Sequence, residues 1–420
     1  MSHPKTNRLR TVSLLLLPFL WIFLPSLSWG HTTQERTKLG NEILIQTLLP
    51  QLDQKRLGLV CNHTSVLPDG KSLIGALLEK GMHVEAVFAP EHGFKGKLEA
   101  GAEIQDSHLE RIKIFSLYGK NKKPTQEQAK SIDAFVYDIQ DVGTRFYTYI
   151  TTLKLVLEAA ADYGKAVYVL DRPNPAGGHI VEGPLLLPAY ESFIGATPIP
   201  VRYGLTVGEL ALMMQGEGWV PSQVELHVVR MNNWNRRYFW KDTGLRWIPT
   251  SPNIPFSETA IIYPGTGLLG ALTINQGLGT LNPFLQFGAP WLDSKAIIQI
   301  LGGGARYGVK LEPLIYTPRS LPGKTLHPPY ENRECQGINV RIHQKGIFYS
   351  LRFTLALIKA IRETHPGKIR LQRESLNRMF GNDLLEKYIN GTLRYVDLIG
   401  EMEKDEKAFL RMRQKYLLYE

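Results

Sequence analysis

Residues 133–150 constrain the fold of this chain more than any other stretch, because they pass from an apolar run through a polar turn into a helical pattern. The run from Ala134 to Val136 predicts a buried strand. Apolar residues at spacings of three and four then predict a helix that continues to about Tyr163, where Gly164 ends it. In an open parallel sheet, a polar turn at the carboxyl end of a strand is where ligands bind. The stretch therefore predicts a strand, a helix and a functional site between them.

Polar residues follow several predicted strands in the same way. The turn within residues 133–150 holds Asp138, Gln140, Asp141 and Arg145. Similar clusters occur at residues 62–65, 91–92 and 171–175, each directly after a predicted strand. Strand and helix patterns alternate along this half, which predicts an α/β fold with a Rossmann-like, doubly wound parallel sheet. Because the carboxyl ends of parallel strands meet at one edge, we expect these side chains to lie together.

The second half of the chain has a different pattern. Glycine-rich connections lie at residues 265–279 and 302–304, and they are followed by an alternating strand at 338–342 and by amphipathic helices. This pattern predicts a smaller α+β domain. The predicted organisation is a signal peptide at 1–30, a Rossmann-like catalytic domain at 31–258 and an accessory domain at 259–420. Residues 95–111 are charged and irregular, and are expected to form a surface loop or lid.

The first 30 residues have the pattern of a signal peptide. An apolar run at residues 12–27 precedes small residues at the cleavage positions and follows three basic residues, Lys5, Arg8 and Arg10. A membrane anchor is the alternative, but Pro18 and Pro25 interrupt a run that is short for a membrane span. We therefore expect a periplasmic or secreted protein without stable membrane insertion after cleavage. Export would permit a disulfide between Cys61 and Cys335, although the sequence does not show that they meet.

Charge and motif spacing argue against several classes of ligand. Three basic and no acidic residues of the segment 1–30 contribute to the formal charge of +10, so the remainder carries +7. Its Lys and Arg residues are scattered, so we do not expect nucleic-acid binding. Neither dinucleotide nor P-loop glycine spacing occurs. Glu91 and His92 are adjacent and point in different directions on most backbones, so we predict no metal and no cofactor.

Two further features have both a structural and a functional interpretation. Glu209 is the third residue after Thr206, which is the spacing of a capping box at the start of a helix. Helix capping and a role in the functional site account for Glu209 equally well. Trp234, Trp240 and Trp247 lie near the polar edge and suit sugar stacking, although such residues more often pack in a core.

Four motifs resemble those of the exo-β-N-acetylmuramidases of the NamZ type. They are Pro-Glu-His-Gly-Phe at 90–94, the stretch 138–149, Asp-Arg-Pro-Asn-Pro at 171–175 and Ser-Pro-Asn-Ile-Pro at 251–255, and they occur in the same order as in that family. The resemblance extends from about Gly58 to the end of the chain. It implies a Rossmann-like domain without nucleotide, an accessory domain and a cleft between them. The implied substrate is the non-reducing terminal N-acetylmuramic acid of peptidoglycan fragments.

The chain departs from the family pattern at three places. After Tyr-Pro-Gly-Thr, the family usually has Glu-Gly-Thr-Asn and then Gly-Arg-Gly-Thr. In this chain Gly270 replaces the Glu and Thr273 replaces the Asn of the first motif, and Leu278 replaces the Arg of the second. Tyr203 stands where His is usual. These departures predict an altered substrate, or a protein that binds sugar without turnover.

The leading hypothesis is a glycoside hydrolase, whose chemistry needs a proton donor and commonly a second carboxylate. Glu91 is the predicted acid/base, and either Asp138 or Asp141 is the second carboxylate. Either Arg145 or Arg172 is predicted to pair with the lactyl carboxylate of muramic acid. The remaining predicted substrate-binding residues are His92, Gln140, Tyr147, Asp171, Asn174 and Asn253. The alternatives are a non-catalytic sugar-binding paralogue and a metal-dependent hydrolase using His92, Asp138 and Asp141.

Overall fold

The computed structural model describes Met1, His3 and residues 35–96, 105–109 and 111–420. Residues 36–420 form one compact unit. Apart from Met1 and His3, the predicted signal peptide lies outside the described residues, as do residues 97–104 and 110 of the predicted surface loop. Within the described ranges, no helix has the length and apolar character that crossing a membrane requires.

A seven-stranded sheet with the order β3-β4-β2-β1-β5-β6-β7 forms the first half of the unit. Its strands are β1 (Arg56–Cys61), β2 (His83–Ala89), β3 (Ser107–Leu109), β4 (Ile112–Ser116), β5 (Ala134–Asp138), β6 (Ala166–Leu170) and β7 (Glu225–Val229). All neighbouring pairs are parallel except β3 with β4. The chain winds outward from β1 to β4 and then returns to add β5 on the other side of β1, which is the doubly wound arrangement that the sequence predicts.

Alternating side chains bury both faces of this sheet. Phe135 and Tyr137 of β5 pack into one buried cluster, whereas Ala134 and Val136 pack into another. This alternation follows from the strand period of two residues, and it explains why the strand is an unbroken apolar run. The helices around the sheet are α1 (Gly40–Ile43), α2 (Leu73–Glu79), α3 (Gln126–Ala129), α4 (Tyr149–Tyr163) and α5 (Val207–Gly216).

The second sheet is antiparallel and has the order β8-β10-β9. It consists of β8 (Gln286–Ala289), β9 (Val309–Tyr316) and β10 (Cys335–Ile342). The helices of this half are α6 (Ser257–Thr266), α7 (Ser294–Ile300), α8 (Ser350–Thr364), α9 (Arg373–Phe380), α10 (Leu384–Ile389) and α11 (Tyr395–Met412). The α/β fold with a smaller second part is therefore confirmed. The predicted boundary between residues 258 and 259 falls in the first turn of α6, and the division into domains stays a prediction.

Two local features differ from or add to the expectations. Ser107–Leu109, expected to be irregular, forms β3 and pairs with β4 at the edge of the sheet. All three residues of β3 are exposed, so this strand leaves no apolar pattern in the sequence. Cys61 and Cys335 are both buried free thiols and do not form a disulfide.

Candidate active site

The strand order brings the predicted polar clusters together at one edge of the parallel sheet. Strands β2, β1, β5 and β6 are neighbours, so the residues after them lie side by side. Hydrogen bonds cross between the clusters: the backbone N–H of Gln140 donates to Thr64 Oγ1 at 3.0 Å, and Ser65 Oγ donates to the Asp138 carbonyl. The turn after β5 is thus fixed against the turn after β1.

Glu91 follows β2 and is 8% exposed. Thr148, the residue before α4, donates its hydroxyl to Glu91 Oε2 at 2.7 Å. The next residue, His92, is also buried and has a φ of 69°. That left-handed conformation costs about 1 to 2 kcal/mol for a residue other than glycine, and such strain is concentrated at functional sites. The structure therefore holds the Glu91 carboxyl in a defined orientation at the end of its strand.

Three tyrosines, one adjacent to Thr148 on each side and one from α6, form an aromatic cluster. The rings of Tyr147 and Tyr149 lie 4.8 Å apart, and Tyr263 lies 6.0 Å from Tyr147. The Tyr147 hydroxyl donates to Thr250 Oγ1 at 3.0 Å, and the Tyr149 hydroxyl donates to the Thr250 carbonyl at 2.8 Å. Burial raises the pKa of Tyr263, and the negative charges of Glu91 and Asp141 raise that pKa further.

Asp141 and Asp138 have different surroundings. Asp138 is fully buried, and its two oxygens accept from Arg172 Nε at 2.6 Å and from Asn41 Nδ2 at 3.2 Å. The Oδ2 atom of Asp141 accepts from Gly143 N at 2.6 Å and from the Tyr203 hydroxyl, whereas Oδ1 has no hydrogen-bond partner among the described residues. Of the two carboxylates that the sequence left open, Asp141 is therefore the one with an oxygen available for chemistry.

The departure at residue 203 lies directly on this carboxylate. Burial raises the pKa of Asp141 to about 6, and the hydrogen bond from Tyr203 opposes that rise. A neutral phenol therefore contacts Asp141 where the family usually has an imidazole that is able to carry a charge.

We expect the raised pKa of Asp141 to make stability depend on pH. Because the folded pKa lies above the value near 4 of an unfolded aspartate, the folded state binds more protons between these values. The contribution of Asp141 is then complete below about pH 4 and is lost as pH rises through 6. Relative to Asp141→Asn, the free energy of unfolding of the wild type should fall by on the order of 2 kcal/mol from pH 4 to pH 7. Urea denaturation of both proteins measures this difference, and parallel pH profiles would contradict the assignment.

The two candidate arginines are used differently. Arg145 is fully buried, and it donates to the carbonyls of Pro184 (2.8 Å), Ile199 (2.5 Å) and Met379 (3.0 Å). Its terminal nitrogens therefore bind the backbone, which favours a structural role for Arg145 over the predicted pairing with a substrate carboxylate. Arg172 donates to Asp138 through Nε, and its Nη2 has no partner among the described residues.

Most other predicted contact residues hold loops in place. Asp171 accepts from Gly208 N (2.8 Å), from the Thr206 hydroxyl (2.8 Å) and from the Tyr419 hydroxyl (2.6 Å), so both of its oxygens are occupied at the start of α5. Burial raises the pKa of Asp171 to about 7. A side chain on residue 208 would lie 2.8 Å from the Asp171 carboxyl carbon, so this contact requires glycine.

Three amides are engaged with the protein in the same way. Asn174 donates to the Leu205 carbonyl at 2.9 Å, and Asn253 donates to the Lys324 carbonyl at 3.0 Å. Gln140 donates to the carbonyls of Asp141 and Pro173, both at 2.8 Å, while its Oε1 is unpaired among the described residues. Of these three, only Gln140 thus retains a buried polar atom without a hydrogen-bond partner among the described residues.

Some residues of the site were not among those predicted from the sequence. Thr148, Tyr149 and Tyr263 lie within or beside the motifs that carry the resemblance, so their position is a usable signal. Thr250 and Asn41 are isolated polar residues that become relevant only through folding. Glu209 caps α5, accepting from Thr206 N at 3.0 Å, and it pairs with Arg236, which supports its structural interpretation.

The ligand set of a metal-dependent hydrolase does not form within the part of the chain that the structure describes. There, no three His, Cys, Asp or Glu side chains are grouped so that they could hold a metal ion. One of the three proposed ligands, Asp138, is already paired with Arg172.

Comparison with known proteins identifies the family. Residues 57–258 match the family described as exo-beta-N-acetylmuramidase NamZ, N-terminal, and residues 261–419 match its C-terminal counterpart. The peptidoglycan beta-N-acetylmuramidase NamZ of Bacillus subtilis is 37% identical over 412 residues, which cover 96% of this chain and 97% of that protein.

Two crystal structures of DUF1343 family proteins from Bacteroides fragilis have the same fold. Their TM-scores are 0.84 and 0.76, at 34% and 32% identity, and each match covers 92% of this chain and 99% of the other. With family matches over both halves and a relative similar over nearly its full length, the chain belongs to the exo-β-N-acetylmuramidase NamZ family.

Proposed function

We propose that this protein is an exo-acting glycoside hydrolase that releases terminal N-acetylmuramic acid from peptidoglycan fragments. The observation that carries the proposal is the pair of buried carboxylates, Glu91 and Asp141, which follow β2 and β5 at the carboxyl edge of the parallel sheet. Glycoside hydrolysis commonly uses two carboxyl groups on either side of the scissile bond. The membership in the NamZ family supports the same chemistry.

The roles of the two carboxyl groups follow from their surroundings. The Glu91 carboxyl, oriented by Thr148, gives a proton to the leaving oxygen. Asp141 supplies the second carboxylate, and its pKa of about 6 keeps it ionised at neutral pH. The rings of Tyr147, Tyr149 and Tyr263 pack edge to face against one another, and aromatic rings of this kind suit the face of a sugar. Neither role requires a metal, so activity should persist in the presence of a chelator.

The proposed setting is outside the cytoplasm. The basic and apolar pattern of residues 1–30 supports export, with the mature protein in the periplasm or secreted. Its partners would be muramic acid saccharides derived from peptidoglycan. Scattered positive charge without a basic cluster supports the absence of a nucleic-acid partner.

The substrate assignment predicts selectivity for muramic acid. N-acetylglucosaminides lack the lactyl carboxylate, so they cannot form the ion pair that an N-acetylmuramoside forms with the protein. Losing about 1.4 kcal/mol of transition-state binding slows a reaction tenfold, so we expect the protein to hydrolyse N-acetylglucosaminides at least tenfold more slowly. The rates of release from chromogenic N-acetylmuramoside and N-acetylglucosaminide measure this difference. Equal rates would leave a glycosidase but remove the muramic acid assignment.

A second candidate, a paralogue with altered substrate choice or without turnover, is favoured by the region around Gly270. A side chain on residue 270 would have its Cβ 2.6 Å from Gln276 Nε2, so Gln276 occupies the space of the family's glutamate. Gln276 is 7% exposed, and its Oε1 has no partner among the described residues. A neutral amide thus lies where the family has a carboxylate.

Restoring the family residues distinguishes these candidates. We expect the unmodified protein to be slow on a muramic-acid-terminated disaccharide, and Gly270→Glu with Leu278→Arg and Gln276→Ala to raise the rate. The third substitution makes room for the new carboxylate. Turnover of the unmodified protein of about one per second or more, the ordinary range for enzymes, would show that the missing residues are dispensable.

A further inference from the structure

Residues 417–420, which we call the returning segment, follow the last helical turn of the second half and lie against the first half. Leu418 N donates to Glu209 Oε1, on α5, at 2.8 Å. The backbone N–H of Arg236, in the loop after β7, donates to the carbonyl of Glu420 at 2.7 Å. The returning segment thus joins the end of the second half to the parallel sheet.

The returning segment places one hydroxyl on a buried carboxylate at the edge of the sheet. Asp171 directly follows β6 and is fully buried. The Tyr419 hydroxyl donates to Asp171 Oδ2 at 2.6 Å, and its oxygen accepts from Met231 N at 3.0 Å. Because Met231 supplies the hydrogen on that side, the phenol proton remains for Asp171. The ring of Tyr419 packs edge to face against Trp234 at 5.0 Å, which holds the hydroxyl in place.

The other partners of Asp171 are donors as well. Oδ1 accepts from the backbone N–H groups of Arg172 (3.0 Å) and Gly208 (2.8 Å), and Oδ2 also accepts from the Thr206 hydroxyl (2.8 Å). The Thr206 oxygen accepts from Glu209 N at 3.2 Å, so its proton is also directed at Asp171. An ionised carboxylate accepts from all four donors, whereas a protonated one would place its own hydrogen against one of them. The geometry therefore fits the ionised form of Asp171.

The loop at residues 171–175 packs against the turn that carries Asp141. Gln140 Nε2 donates to the carbonyl of Pro173 in the loop and to the carbonyl of Asp141 in the turn, both at 2.8 Å. Gly143 approaches the loop so closely that a Cβ at this position would lie 2.2 Å from a side-chain oxygen of the loop. The N–H of Gly143 donates to Asp141 Oδ2 at 2.6 Å. A displacement of the loop would therefore change the support of the Asp141 carboxylate.

We propose that Tyr419 is a positioning residue of the hydrolytic site: through Asp171, the returning segment holds the loop 171–175 against the turn that carries Asp141. Tyr419 acts through Asp171 and is distinct from the residues that touch the sugar. The inference rests on the proposed function, in which Asp141 is the second carboxylate. It gives the second half of the chain a part in the chemistry of the first.

The ionisation of Asp171 supplies a readout that a purely structural role would not change. Burial raises the pKa of Asp171 to about 7, and the hydrogen bond from Tyr419 opposes that rise. Removing the hydroxyl should therefore raise this pKa further, so that Asp171 ionises only at higher pH. The other groups around Asp171 either donate to it or carry a charge or an ionisable group nearby, and they are Arg172, Tyr203, Thr206, Gly208, Glu209 and Arg236.

Tyr419→Phe tests the proposal, because it keeps the ring against Trp234 and removes the hydroxyl. At pH 7 we expect kcat on a terminal N-acetylmuramoside to fall by about fivefold or more, and to recover as pH rises and Asp171 ionises. Amide hydrogen exchange, measured by mass spectrometry, should become faster in peptides that contain residues 141–143 and 171–175. Asp171→Asn, which cannot ionise, should show the loss of rate at every pH.

Tyr416→Phe is the matched control. Its hydroxyl comes from the helical turn just before the returning segment and donates to Glu217 Oε1 at 2.6 Å, at the opposite end of α5 from Asp171. This variant should keep the wild-type rate, pH profile and exchange. A folded Tyr419→Phe variant with wild-type rate or exchange would overturn the proposal. So would a loss of rate that is the same at every pH or equal in the two tyrosine variants, or a wild-type rate in Asp171→Asn.

Failure of the proposed function has a different result. In that case the wild type releases no muramic acid, and the rates cannot be compared. The exchange measurement is independent of turnover, so it still decides whether the hydroxyl of Tyr419 holds the loop: faster exchange in Tyr419→Phe alone supports the contact, and equal exchange in the wild type and both tyrosine variants overturns it.

Discussion

Glu91→Gln should lower turnover on a terminal muramoside by about two to four orders of magnitude, the usual contribution of general acid–base catalysis. Gln keeps the shape of Glu and can still accept the hydroxyl of Thr148, which bonds Glu91 Oε2 at 2.7 Å. It lacks a proton that can be transferred. Steady-state rates should therefore fall while the binding of muramic acid, measured by titration, changes little.

Glu85→Gln is the matched control for this experiment. Glu85 lies on β2, the strand that precedes Glu91, but its side chain is exposed. We expect this variant to retain the wild-type rate. Turnover of Glu91→Gln close to that of the wild type would remove Glu91 from the mechanism, whereas loss of both turnover and binding would indicate a role in holding the sugar.

The sequence predicts the parallel sheet well because local pattern and tertiary environment agree there. Strands such as β5 are buried on both faces, so they appear as unbroken apolar runs bounded by polar turns. Helix ends were also predictable: Thr206 caps α5, and Gly164 ends α4 in a left-handed conformation. β3 could not be predicted, since its three exposed residues depend on pairing with β4 rather than on any apolar pattern.

The candidate site was predictable as a place but not as a set of roles. Topology alone gathers the residues after neighbouring parallel strands. Which carboxylate keeps an available oxygen depends on partners distant in sequence: Asp138 is occupied by Asn41, 97 residues away, and by Arg172, 34 residues away. Sequence spacing contains no information about such pairs. The same motif therefore supplies both a structural ion pair and a candidate catalytic group.

Arg145 is the clearest case of a motif residue whose role is decided by distant partners. Its guanidinium joins the backbone carbonyls of residues 184, 199 and 379, the last of them 234 residues away in sequence. The arginine thus connects the turn after β5 to the end of α9. Its burial lowers the pKa of the guanidinium, but three carbonyl acceptors compensate for the loss of water.

Replacing Arg145 with Met should therefore act on stability rather than on substrate choice. Met fills a similar volume but leaves two buried carbonyls and one partly buried carbonyl without their donor, and this should lower the free energy of unfolding by about 3 kcal/mol or more. Urea denaturation measures the loss, and Arg411→Met, at an exposed position of α11, should stay close to the wild type. The rate ratio between muramoside and glucosaminide provides the second measurement. If Arg145→Met were as stable as the wild type and lost its preference for the muramoside, the guanidinium would bind the substrate after all, and the assignment made from its three carbonyl contacts would be wrong.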